Sequence, residues 1–413
     1  NNDLSKSSES ITVDESIAED ILATQADTAV VVGTVSDYLT AKGDAKLYNI
    51  NLPAGVYLQA QLTTPANADL DYDLYLLDAE GNILTGSDYY TYINGTAGTL
   101  PEALGYITSG DTATYYLYVL ASEGGSVSES FTLDYSVSTA CDSYEIDESV
   151  RQALAFTYGA GGAYIESRNL SSPIDNDWYV ITVPSSRIYD KLKISATTAS
   201  TNTCSVEVYQ NVASEGYQMK RVGSGNTISV SSGKYYIKVS NAKTMENFDD
   251  LDIQNYKLSI TPILKATGIV ITDLKGSEGL NKVVNYPGYG AHFRTQGSGT
   301  LTVYGVLTAT DSSTGVTYAV GGEQINGLYY SPAWEANNTS ANAIRRGTGT
   351  TDSSGKFEID ISLPPGIGVY SYYGSTSTHY FDICGVSVSP SDDSSISASE
   401  TIFHLAYTMY HPF

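Results

Sequence analysis

Two short acidic runs hold the residues of this chain best suited to chemistry. Glu145, Asp147 and Glu148 lie in Tyr144-Glu145-Ile146-Asp147-Glu148-Ser149, and Asp175 and Asp177 flank Asn176 where a strand is expected to begin. Calcium is held by about six to eight oxygens, ideally from carboxylates converging out of irregular chain. These five would serve it if folding brings the two runs together. As a helix cap or a solvated acidic face, the same residues would bind nothing.

Catalytic spacings are missing. The four histidines, His292, His379, His404 and His411, form no His-Glu-x-x-His pair, and His404 falls in the polar register of a strand, so zinc is not expected. There is no Gly-x-Ser-x-Gly elbow, and Ser354-Gly355-Lys356 reads as a hairpin turn, not a phosphate loop. Asp69, Asp71 and Asp73 alternate along a strand without the Gly and Glu of a calcium loop, which predicts an exposed charged face. An enzyme is not expected. For binding, flat rings near loops could stack on a sugar or another chain, and Tyr329, Tyr330 and Trp334 are the candidates.

The elements that must position these residues are repeated strands. Thr12-Val13-Asp14-Glu15-Ser16 returns as Glu145-Ile146-Asp147-Glu148-Ser149, Leu47–Pro53 as Trp178–Pro184, and Tyr115–Val119 as Tyr235–Val239. The offsets (147 − 14 = 133, 179 − 48 = 131, 235 − 115 = 120) drift as loop insertions would shift them. Period-two patterns such as Tyr48/Ile50/Leu52 and Tyr179/Ile181/Val183, broken by turn clusters, predict antiparallel sandwiches. Short helices are expected at Ile17–Thr24 and Val150–Phe156, after the repeated Asp-Glu-Ser.

The resulting expectation is all-β: an extension over 1–12, sandwiches over 13–140 and 141–263, and a third, Ig-like sandwich over 264–413. The last strand, Glu400–Tyr410, could complete its own sheet or insert into a neighbouring subunit's.

Composition narrows the partners. The 413 residues carry a net charge of −25, and residues 1–140 alone hold 20 acidic residues against three lysines and no arginine. Such a field repels phosphate, which argues against nucleic acid and anionic lipid. No apolar run approaches the roughly 18 residues of a membrane span. Tyrosine dominates the aromatics, 35 against eight Phe and two Trp, as suits half-buried strands and contact surfaces. A first residue of Asn1 suggests that a secretion signal has been removed, and Cys141 and Cys204 could then form a disulfide or remain two buried thiols.

Both copies resemble the bacterial pre-peptidase C-terminal (PPC) domain family, itself similar to the collagen-binding modules of clostridial collagenases. The resemblance rests on Gly33–Ser36, Tyr48–Gly55, the aspartate-rich Ala68–Leu84 with its Asp78-Ala79-Glu80-Gly81-Asn82 turn, and Tyr115–Val119. In copy two it rests on Tyr144–Ser149 and Asp175–Tyr179. It covers roughly residues 12–263 and implies a jelly-roll-like sandwich used for attachment, in some members with calcium. Glu145, Asp147, Glu148, Asp175 and Asp177 occupy positions like the family's calcium ligands. In copy one Lys46 stands where Asp177 stands, so copy one is not expected to hold the ion. The third region is similar to Ig-like or CnaB surface modules through Thr351–Phe357 and Leu363–Gly366.

The expected function is a secreted, non-catalytic structural or surface protein, located outside the cell or on its surface. It would assemble with identical subunits into a filament, sheath or surface layer through sandwich contacts and terminal strands. The alternative is a monomeric adhesin that binds carbohydrate, collagen or another matrix protein.

Overall fold

The computed structural model describes residues 9–10 and 30–410, apart from 68, 89, 94–95, 98–99, 140, 199–203, 213–217, 225, 243, 249–253, 278–279, 287–289, 295–297, 333–342, 366–367, 374–375 and 381. The architecture is nearly all β, as the alternation predicts. Contacts divide the chain into two compact units: Asn1–Ser185 with Lys191–Ile263, and Ser186–Asp190 with Leu264–Phe413. The two repeats therefore lie together in one unit.

The first repeat supplies β1 (Glu9–Ser10), β2 (Val30–Asp37), β3 (Ala45–Leu52), β4 (Tyr57–Thr63), β5 (Asp71–Leu77), β6 (Ile83–Ser87), β7 (Tyr90–Ile93), β8 (Thr96–Ala97), β9 (Glu102–Ile107), β10 (Ala113–Glu123) and β11 (Phe131–Ser138). The second supplies β12 (Leu154–Ala155), β13 (Ala163–Leu170), β14 (Asn176–Val183), β15 (Tyr189–Thr198), β16 (Ser205–Asn211), β17 (Gln218–Ser224), β18 (Thr227–Ser229), β19 (Gly233–Ser240) and β20 (Gln254–Leu264).

The sheets of the first repeat run β1-β3-β10-β5-β6 and β2-β11-β4-β9; those of the second run β12-β14-β19-β16-β17 and β13-β20-β15-β18. The orders match strand for strand, and so does the register. Leu117 lies opposite Tyr48 and Val119 opposite Lys46; in the second repeat Ile237 lies opposite Tyr179 and Val239 opposite Asp177. The sequence repeat is thus a repeat of topology. Alternation builds each core: Tyr115, Leu117, Val119 and Ala121 of β10 point inward against Leu58, Leu62 and Phe131.

The Asp78 turn shows why its residue types recur. Asp78 Oδ1 accepts from the backbone N–H groups of Glu80 (3.0 Å) and Asn82 (2.7 Å), while Gly81 takes a φ of 82° that a side chain would resist. Asp352 and Gly355 build the same turn in the second unit, where Asp352 Oδ1 accepts from Ser354 N (2.8 Å) and Lys356 N (2.9 Å).

Several expectations are corrected. In place of a helix over Val150–Phe156 there is one 3₁₀ turn, Val150–Gln152, followed by β12, because the chain leaves the turn to pair in parallel with β14. The helix expected at Ile17–Thr24 lies outside the described residues. The aspartate-rich face is exposed only in part: Asp69 is exposed and Asp71 half-buried, but Asp73 is buried, accepts from Ser122 (3.3 Å) and Tyr75 (3.3 Å), and is pushed up to about 6 by burial and by Asp71 and Asp88. His404, expected in the polar register, is fully buried. Within the leader, Glu9–Ser10 pairs in parallel with β3 of its own repeat. Of the two arrangements open to the last strand, Ala398–Tyr410 here pairs antiparallel with Asp382–Pro390 of its own sheet.

The two repeats are joined in three ways. The β7-β8 hairpin of the first adds to the sheet of the second, with β7 parallel to β17. Leu100 of the first repeat sits in an apolar cluster with Val150, Trp178, Tyr209, Met219 and Tyr236 of the second. Gly105 of β9 lets the Ile146–Glu148 segment approach closely, since a Cβ there would stand 2.7 Å from Ile146 Cγ2 and from the Tyr57 hydroxyl. Gly105→Ala is therefore expected to destabilise the chain by about 1–3 kcal/mol in chemical denaturation, the usual penalty of overpacking a tight contact.

Candidate cation site

The segment that carries Glu145, Asp147 and Glu148 is clipped to β14 by its backbone. Trp178 N donates to Asp147 O at 3.0 Å, and beyond the 3₁₀ turn Phe156 N donates to Val180 O at 2.9 Å. This fastens the first acidic run alongside the second, which begins β14. Glu145, Asp147 and Asp177 each present an oxygen within 4.8 Å of the others. Glu148 and Asp175 are buried beside them. All five expected ligand residues are therefore gathered in one place.

Arg168 forms the other wall. A bulge in β13, with Ser167 at a φ of 63°, turns it inward, and its side chain is wholly buried. Its guanidinium pairs with Asp147 Oδ2, with Asp142 Oδ1 at 2.5 Å and with Asp177 Oδ1 at 3.0 Å, and its Nε donates to the Tyr179 hydroxyl at 2.7 Å. The Tyr256 hydroxyl donates to Asp177 Oδ2. Across from them, Tyr57 of β4 places its hydroxyl 2.8 Å from Glu145 Oε2 and 2.5 Å from Glu148 Oε1, and Gln59 Nε2 donates to Glu148 Oε1 at 2.6 Å. Asn176 N donates to Glu148 Oε2 at 3.1 Å, and the Ser171 hydroxyl to Asp175 Oδ2 at 2.8 Å.

What this arrangement leaves unpaired points to a ligand. Oxygens of Gln59, Glu145, Asp147 and Asp175 have no hydrogen-bond partner, and Asp177 Oδ1 has only its ion pair with Arg168. Buried carboxylate oxygens are rarely left so. Of the six carboxylates gathered here, counting Asp142, the one guanidinium pairs with three, Asp142, Asp147 and Asp177. Lys238 lies near Glu148, but burial pulls its ammonium below the usual lysine range. The electrostatics follow from this imbalance. Burial, with Asp175 nearby, pushes Glu145 up to about 8. Burial and Asp177 push Asp147 up to about 12, and burial pushes Asp175 up to about 6. Burial and Asp175 also hold Glu148 and Asp177 well above the usual carboxylate range. Such a cluster must take up protons or a cation. Hard oxygen donors of this number and charge fit calcium.

In the first repeat the same positions carry the opposite charges. Asp37, Lys46 and Tyr48 precede Arg168, Asp177 and Tyr179 by one constant interval (168 − 37 = 177 − 46 = 179 − 48 = 131). Lys46 pairs with Asp37 at 2.8 Å, and the Tyr48 hydroxyl donates to Asp37 at 2.9 Å. Here the ammonium of Lys46 stands where the second repeat has a carboxylate. Asp44 caps a turn instead, accepting from Thr40 N (2.9 Å) and Ala41 N (3.1 Å).

The aromatic candidates are not brought together. Tyr329 and Tyr330 are neighbours in one strand and so face opposite ways. Tyr329 is fully buried, its hydroxyl 2.8 Å from His404 Nδ1 and 3.1 Å from Cys384 Sγ, which removes it from any stacking surface. Tyr330 is half-buried, and Trp334 lies outside the described residues. Cys141 and Cys204 are free, half-buried thiols. Burial raises both, Cys204 to about 12, which makes them poor nucleophiles.

No family model matches the chain. It is 36% identical over 74 residues to YlqB, an uncharacterized protein of Bacillus subtilis (strain 168); the match covers 18% of this chain and 46%, about half, of YlqB. Among solved structures, the chain aligns with PliG of Aeromonas hydrophila, a periplasmic inhibitor of g-type lysozyme, at 11% identity and a TM-score of 0.18, over 28% of this chain and 89% of that one. It aligns with the CBM22 tandem of Paenibacillus barcinonensis Xyn10C at 13% identity and a TM-score of 0.17, over 58% and 94%. Among the described residues no helix is long and apolar enough to cross a membrane.

The cluster sets a pH dependence with a definite sign. The folded carboxyl values lie above the unfolded ones, so the native state binds more protons, and stability falls as pH rises through them. In chelator, the melting temperature is expected to fall between pH 4.5 and about 8, the two limits for Glu145. A flat profile would mean that the cluster is not buried as described.

Proposed function

We propose that this chain is a non-catalytic extracellular structural protein that assembles with identical subunits into a filament, sheath or surface layer through its sandwich faces. In this reading, calcium held by Glu145, Asp147, Glu148, Asp175 and Asp177 stabilises the fold. The observation that carries the structural, non-catalytic part of this reading is the closure of the site. Asp147, Glu148, Asp175 and Asp177 are all at most 1% exposed, as in structural metal sites and unlike catalytic ones, which keep a position open for substrate. The raised thiols and the burial of His404 fit a chain built for packing. The resemblance of both repeats to attachment modules supports a location outside the cell.

Ion binding to the native state alone should stabilise it by about 2.7 kcal/mol when free calcium is a hundredfold above the dissociation constant. Electron microscopy of the native chain with calcium and with chelator tests assembly. Ordered filaments or sheets in calcium are expected. Dispersed monomers in both conditions would overturn the assembly reading and favour a monomeric adhesin.

A further inference from the structure

We infer that the cation site is shared between the two repeats, with Gln59 and Tyr57 of the first closing a site whose carboxylates come from the second, so that the ion clamps one repeat to the other. The inference rests on the cation reading above and adds a ligand, an interface and a consequence to it.

The Gln59 side chain is 1% exposed and lies against Glu148, yet its Oε1 has no partner. A buried amide oxygen beside unpaired carboxylates is a neutral donor of the kind calcium accepts alongside its anionic ligands. Tyr57 holds Glu145 and Glu148 from the same strand, its hydroxyl bonded to both. From β4 as well, Gln61 Oε1 accepts from Asn176 Nδ2 at 3.2 Å, between Asp175 and Asp177. Gly105 on the adjacent strand provides the space for Ile146 and Glu148 to seat. Strand β4 of the first repeat is therefore one wall of the site.

This placement links charge to architecture. The Glu145–Glu148 segment lies between β14 of its own repeat and β4-β9 of the other. A cation bound by its carboxylates and by Gln59 would hold both walls. The first repeat needs no such ion at the corresponding place, because Lys46 already faces Asp37 there.

The test uses the full chain. Calcium alone is titrated calorimetrically into the wild type, Gln59→Met and Tyr57→Phe, variants that keep side-chain volume. Hydrogen exchange is then followed by mass spectrometry with calcium and with chelator. The expected result is one tight ion in the wild type and affinity reduced about 10–100-fold in Gln59→Met, the loss typical of removing a group that supports a metal site. Calcium should also slow exchange in Tyr57–Thr63 and Glu102–Ile107, as well as in the acidic segment. Wild-type affinity in both variants, with protection confined to the second repeat, would overturn the shared site and leave the calcium reading standing. No binding to the wild type would overturn both. Circular dichroism separates a folding failure from a binding loss, and the wild-type exchange map decides the question without either variant.

Discussion

The arrangement of the first unit depends on one electrostatic imbalance: six carboxylates are gathered where a single buried guanidinium pairs with three of them. An isolated carboxylate is expelled from a low-dielectric interior unless it is paired, protonated or bound to a metal. Arg168 compensates part of the charge, through Asp142, Asp147 and Asp177. Tyr57, Gln59, Ser171 and Tyr256 supply hydrogen bonds, and what remains is a set of oxygens with nothing to accept from. The surrounding structure follows from holding this set together. The bulge at Ser167 aims Arg168, and the parallel β12 fastens the acidic segment to β14.

The two repeats show how one scaffold resolves one buried position in two ways. In both, a charged residue of the second strand meets the opposite charge on the first, with a tyrosine hydroxyl beside them. The first repeat puts the cation, Lys46, on the second strand, and the pair is complete. The second puts Asp177 there and adds acidic neighbours, so Arg168 alone leaves the balance negative. Phe131, opposite Asp37, has its counterpart in Tyr256, opposite Arg168, and only the latter has a hydroxyl to offer Asp177. The copies thus differ between an ion pair that is complete and an acidic cluster whose charge Arg168 alone does not balance.

Much of this was legible in the sequence because strands reveal themselves by alternation and repeats by order. The all-β class and the repeat could be read from residue types and order, whereas Glu145, Asp147, Glu148, Asp175 and Asp177 were candidate ligands through the family resemblance, and their convergence is a matter of folding. Arg168 could not, because its inward aim depends on a bulge that shifts the period of β13. Nor could Tyr57 and Gln59, which reach the site through tertiary packing of one repeat against the other. Tyr329 misled as a surface aromatic, since adjacent residues of a strand cannot both face outward. His404 was placed in the polar register, but the Tyr329 hydroxyl provides a partner that allows the imidazole to be buried. The short helix at Val150 gave way to strand pairing, a tertiary contact that outweighs local propensity.

The most direct test of the account is a crystal structure of the chain grown in calcium near neutral pH, compared with one grown in chelator. An ion bound by oxygens of Glu145, Asp147 and Asp177 at about 2.3–2.6 Å, the range for calcium, is expected, with Arg168 still paired to Asp147. Identical carboxylate positions in both crystals, with no ion among them, would contradict it and leave shared protons as the means by which the cluster is buried.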